Sequence, residues 1–95
     1  MHVITCKRLN DFASKHPESR AALVNWFSLM KKRRFSSIVD LKRAFADADQ
    51  VGKFTVFNIG GNKARLIAAI HYNRGKVYIR HVLTHAEYDR RNWKT

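Results

Sequence analysis

Phe54-Thr55-Val56-Phe57-Asn58-Ile59-Gly60-Gly61-Asn62-Lys63-Ala64-Arg65-Leu66-Ile67-Ala68-Ala69-Ile70-His71-Tyr72, then Asn73-Arg74-Gly75, then Lys76-Val77-Tyr78-Ile79-Arg80-His81-Val82-Leu83: this is where the chain reads most clearly as strands. β-Branched and aromatic residues dominate three runs, and the two breaks between them carry the glycines and asparagines that tight turns need. The reading is an antiparallel meander over 54–59, 64–72 and 76–83.

Because side chains alternate across a strand, the turns decide which residues share a face. With Arg74-Gly75 as a two-residue loop, Tyr72 opposes Val77, Ile70 opposes Ile79, Ala68 opposes His81 and Leu66 opposes Leu83. That face is apolar and expected under helices, with His81 as a packing residue. The other face carries Arg65, Ile67, Ala69 and His71 beside Tyr78, Arg80, Val82 and Thr84, and pairing through Gly60-Gly61 adds Phe54, Val56 and Asn58. A plain solvated face is the competing reading. Against it stand Ile67, Ala69, Val56 and Val82, an apolar floor from which Arg65 and Arg80 project as phosphate ligands.

Upstream, His2-Val3-Ile4-Thr5 reads as a short strand, and Thr5 as the cap of a helix carrying Leu9, Phe12 and Ala13 that stops at His16. Pro17 then opens a second helix with Leu23, Trp26, Phe27 and Met30 on one stripe. It runs into Lys31-Lys32-Arg33-Arg34, cations suited to a helix C-terminus. Ser37 caps a third, short helix bearing Ile38, Leu41 and Phe45, which Asp47-Ala48-Asp49-Gln50 ends. Downstream, Thr84-His85-Ala86-Glu87 is a capping box that opens a short helix holding Tyr88 and reaching toward Trp93.

The expected fold is α+β: a small antiparallel sheet of the N-terminal strand plus a three-strand C-terminal meander, with two or three N-terminal helices on one face and a short C-terminal helix. The 95 residues, with 45% hydrophobic content and one proline, suffice for one domain over 1–95 and exclude a disordered chain. Nineteen Lys and Arg against seven Asp and Glu leave a net charge of +12, which points to a polyanionic partner, nucleic acid first. No apolar run is long enough for a membrane span or a signal segment. The single cysteine, Cys6, fits a reducing cytosol. His81 and His85 straddle a strand end and do not converge as zinc ligands, and Gly60-Gly61-Asn62-Lys63 joins two strands rather than a strand and a helix, so it is no phosphate loop. No metal and no cofactor are expected.

Together Phe57-Asn58-Ile59-Gly60-Gly61-Asn62, Arg65-Leu66-Ile67 and Thr84-His85-Ala86-Glu87-Tyr88-Asp89 resemble, in order and spacing, the HigB family of type II toxins in the RelE and ParE superfamily. The resemblance implies a RelE-like fold and a bacterial, cytoplasmic mRNA interferase, an endoribonuclease acting on messenger in the A site of the 30S ribosomal subunit. It implies a HigA antitoxin with a helix-turn-helix domain as partner. The superfamily also holds ParE-like gyrase poisons, so a non-cleaving blocker of gyrase or ribosome is the alternative. Arg65 resembles the central-strand arginine that contacts the scissile phosphate in RelE-like nucleases. His85 and Tyr88 resemble the basic residue after the last strand and the tyrosine that follows it. Lys53 and Lys63 are the amines near the family's lysine positions, and the general base is left open.

Metal-free RNA cleavage needs the 2′-hydroxyl deprotonated, the phosphorane charge stabilised and the 5′-oxygen protonated. Arg65, His85, Tyr88 and Arg80 form the expected catalytic set. Lys53, Asn58, Lys63, His71, Lys31, Lys32, Arg33 and Arg34 form the expected RNA-binding set.

Overall fold

The computed structural model describes residues 1–4, 6–61 and 63–90. The strand runs become β3 (Phe54–Ile59), β4 (Ala64–His71) and β5 (Lys76–Leu83), paired antiparallel. β1 (His2–Ile4) pairs parallel with β5, and β2 (Asp49–Val51), in a stretch expected to end a helix, pairs antiparallel with β3. Among the described residues the sheet therefore has five strands, in the order β1-β5-β4-β3-β2.

The β4–β5 register differs from expectation in two ways. His71 pairs with Lys76 and Ala68 with Ile79, so the loop is Tyr72–Gly75 rather than Arg74-Gly75, and Tyr72 lies outside the strand. Arg34 accounts for this: its Nη2 donates to the Asn73 carbonyl at 2.9 Å, and Gly75, at φ 65°, lies against its guanidinium, where a Cβ would meet Arg34 Cζ at 3.3 Å. A shift of two residues preserves facing. The second change does not. Beyond Ile79 the partners become Ile67↔His81, Leu66↔Val82 and Arg65↔Leu83, which leaves Arg80 as the extra residue of a bulge. Leu83 thereby joins the face of Arg65 and Val82 packs on the core, the reverse of the alternation expected there. His81 opposes Ile67 rather than Ala68 and is half-buried.

Helices α1 (Lys7–Lys15), α2 (Arg20–Lys32) and α3 (Ile38–Ala44) share one core with the sheet. Leu9, Phe12, Leu23, Trp26, Met30 and Leu41 are buried there with Phe57, Leu66, Ala68, Val77 and Ile79. Phe57 meets Trp26 and Phe45 edge-on, at 5.4 and 5.2 Å between centroids, a geometry aromatic quadrupoles favour. Pro17 starts a 3-10 turn, Pro17–Ser19, ahead of α2, and Ser37 caps α3 by accepting the Asp40 N–H at 3.2 Å. Thr5, the expected cap of α1, lies outside the described residues, as do Asn62 and Trp93. Among the described residues no helix is long and apolar enough to cross a membrane.

Candidate active site

On the sheet face away from the main core, Val56 and Ile67 are buried against Val51, Phe54, Leu83 and Tyr88. This is the apolar floor, with Leu83 in the place expected of Val82. Arg65, second residue of β4, lies between Asn58 of β3 and Leu83 of β5. Its guanidinium is held from behind: Nη1 donates to the carbonyls of Gly61 at 3.3 Å and Ala64 at 3.2 Å. Gly61 has φ 71°, a left-handed conformation that glycine adopts without strain, and that turn aims its carbonyl back at Arg65.

The chain then enters α4 (His85–Asp89) through the expected capping box. Thr84 Oγ1 accepts the Glu87 N–H at 3.2 Å, and Glu87 Oε1 accepts the Thr84 N–H at 2.9 Å. The Thr84 backbone donor holds the Glu87 carboxyl below the usual carboxylate range. With α4 so fixed, His85 Nδ1 lies 3.5 Å from Arg65 Nη2, and the Tyr88 ring lies 5.8 Å from the Arg65 guanidinium carbon. His85 Nε2 lies 3.4 Å from Asp89 Oδ2. An imidazole that accepts from Arg65 at Nδ1 carries its proton on Nε2, facing Asp89. Asp89 is absent from the expected set, although its i, i+4 spacing from His85 within a helix was a readable signal.

Three of the four expected catalytic residues, Arg65, His85 and Tyr88, thus converge. Arg80 stands exposed at the bulge, where its charge acts on His81. Among the RNA-binding expectations, Asn58 is exposed directly opposite Arg65. Lys53 lies over the Phe54 ring at 5.4 Å, on the rim of the floor. Lys63 turns toward the helices, its Nζ donating to the Glu18 carbonyl at 3.3 Å. His71 is six residues along β4 from Arg65, about 20 Å away at the rise of a strand. There it meets Tyr78 edge-on at 5.2 Å. Lys31, Lys32, Arg33 and Arg34 gather at that same far end, where Arg34, Phe35 and His71 line an open cavity of about 780 Å³.

A five-strand sheet backed by N-terminal helices, with a basic and aromatic cluster on its open face, defines the class: a small RelE-like α+β protein. The family model described as HigB toxin, the RelE-like toxic component of a toxin-antitoxin system, matches residues 19–91, and the chain belongs to that family. It is 40% identical over 92 residues to the mRNA interferase toxin HigB of Escherichia coli K12, covering 94% of this chain and 88% of that protein. The same figures hold for the mRNA interferase HigB of Shigella flexneri. The mRNA interferase HigB of Escherichia coli O6:H1 is 31% identical over 93 residues, covering 95% of this chain and 90% of that protein. Membership in a toxin-antitoxin family implies an antitoxin partner.

Proposed function

We propose that this chain is an endoribonuclease that cleaves mRNA, with the 2′-hydroxyl as nucleophile and no metal ion. The convergence of the Arg65 guanidinium, the His85 imidazole and the Tyr88 ring carries the reading, and relatives named mRNA interferases support the substrate class. A scissile phosphate docks on Arg65, drawing Nη2 away from His85 and freeing Nδ1 to take the 2′-hydroxyl proton. Asp89, exposed 3.4 Å from Nε2, orients the ring and balances the imidazolium. The 2′-oxygen bonds to phosphorus, Arg65 stabilises the phosphorane, and the bond to the 5′-oxygen breaks as that oxygen takes a proton from solvent, which reaches exposed His85 and Asp89. Tyr88 stacks on a base beside the cleavage point. In the cytoplasm the messenger is met in the A site of the 30S ribosomal subunit, and a HigA-type helix-turn-helix antitoxin holds the toxin inactive.

The alternative, a ParE-like gyrase poison or a non-cleaving ribosome blocker, needs positive charge but no titrating group beside the phosphate-binding arginine. Primer extension on a translated messenger separates the two. Discrete new 5′ ends, undiminished by EDTA and abolished by 2′-deoxy substitution immediately 5′ of the cut, are expected. Continued cutting of the deoxy substrate would sink the mechanism, and translation arrest without new ends would favour the blocker.

A further inference from the structure

Among the described residues β1 pairs only with residues 76–78 of β5, so beyond Tyr78 it does not cover the outer edge of that strand. α1 packs along β5 instead, and between α1, the end of β5 and α4 lies a groove of about 270 Å³. Arg8 and Lys15 stand exposed on its α1 wall, with His81 on the strand side. The half-buried His16 also lines it, its ring stacked on buried Phe12 at 4.4 Å with 29° between planes, so that one face is backed by the core, and its Nδ1 lies 3.6 Å from Glu18 Oε1. Two carboxylates, Asp11 and Glu87, also line the groove, but Glu87 is engaged by the Thr84 backbone. Burial and then the Arg8 and Arg80 charges hold His81 below the usual histidine range, which agrees with a positive potential inside the groove.

Leu83 connects this groove to the candidate active site, because it lines the groove while its Cα pairs with that of Arg65. Adjacent strands are about 5 Å apart. An RNA strand whose scissile phosphate sits on Arg65 therefore reaches the groove mouth within the next nucleotide or two. The volume lies just below the roughly 300–1,000 Å³ of pockets that enclose a whole drug-sized ligand, which suits one nucleotide. Cations for a phosphate beside an aromatic face for a base is the pattern of single-strand recognition.

We propose that the groove between α1 and the end of β5 is a second RNA subsite, taking a nucleotide that flanks the scissile phosphate, with its phosphate between Arg8 and Lys15 and its base on His16. This rests on the nuclease reading, and the test is a binding measurement so that the two can fail separately. The full chain is titrated with a fluorescent oligoribonucleotide made non-cleavable by 2′-deoxy substitution at the cut. Arg8→Ala with Lys15→Ala should weaken binding by about tenfold at low salt. Lys42→Ala with Arg43→Ala, which removes the same charge from exposed positions of α3, should change it by less than about twofold. His16→Ala should weaken the intact ligand more than one carrying an abasic nucleotide in the flanking position. Alanine favours helix at all four exposed positions, and circular dichroism confirms that the fold is kept. Equal losses from the α1 and α3 pairs would overturn the subsite. So would retained RNA affinity with lost antitoxin binding, which would assign the groove to an acidic protein segment. A parent that binds this ligand yet never cleaves its ribose counterpart would overturn the nuclease reading and leave the comparison standing.

Discussion

Arg65 is only 8% exposed on a floor of valine, isoleucine and leucine, so its charge is largely stripped of water before any substrate arrives. Charge interactions strengthen as local water is excluded, and a guanidinium already oriented by two carbonyls needs little rearrangement when phosphorane charge develops. The effect belongs to the transition state more than to binding. Arg65→Ala should retain most RNA affinity yet lose on the order of 10² or more in single-turnover cleavage, about 2.7 kcal/mol. His85→Ala should also slow cleavage and alter its pH profile while sparing thermal stability, because the side chain is exposed. Parental cleavage by Arg65→Ala would show the phosphate contact to be misplaced, with Arg80 the next residue to replace.

At the scale of elements, α4 is five residues long, too short to persist without its cap and its packing on the sheet. Thr84→Ala removes the acceptor for the Glu87 N–H and should cost about 1 kcal/mol. Cleavage should fall further than global stability does, since His85 and Tyr88 lose their placement. Acid acts on the same cap through Glu87. Its folded pKa lies below the unfolded value, so its contribution is complete above the ordinary glutamate range and is lost as pH falls through the lowered folded value. Melting temperature followed into that acid window should drop more steeply for the parent than for Glu87→Gln. The helical stripes, the Ser37 cap and the Thr84–Glu87 capping box were legible because each rests on local spacing, whereas the meeting of Arg65 with His85, twenty residues along the chain, and with Tyr88 was indicated by the family resemblance rather than by spacing. β2 was not legible: Asp47-Ala48-Asp49-Gln50 reads as the polar end of a helix, with strand character from Val51 on, and Asp49-Gln50-Val51 becomes a strand by pairing with β3, where Thr55 donates to Gln50 Oε1 at 3.3 Å. Nor was the bulge at Arg80, since two consecutive polar residues fit either alternation. Face parity placed His71 and Arg65 on one side but said nothing of the strand length between them.

Over the whole molecule, 32 × 26 × 22 Å in extent, the net charge of +12 is spread over helices and sheet, and Lys31-Lys32-Arg33-Arg34 lie toward the end of the sheet away from Arg65. The four cations there are not equivalent. Arg33 lies over the Phe35 ring at 4.8 Å and 4.0 Å from Asp40, and Arg34 anchors the β4–β5 loop, so replacing either disturbs structure as well as charge. Lys31 and Lys32 are exposed at the end of α2, where Lys31 Nζ lies 5.8 Å from the Phe27 ring of its own helix, and make the cleaner test. If RNA runs to that end, each phosphate neutralised there contributes about 0.7 to the slope of log K against log salt for a single strand. Lys31→Ala with Lys32→Ala should flatten the slope by about 1.4 on a long RNA. An oligonucleotide too short to cover the roughly 25 Å of strand between Asn73 and Arg65 should show no change. Cleavage of bound substrate should stay largely intact, because neither lysine is near Arg65. An unchanged slope on long RNA would assign the run to a solvated face or to antitoxin contact, and equal flattening on both lengths would mean that the two lysines act through the general field of the protein rather than by touching RNA.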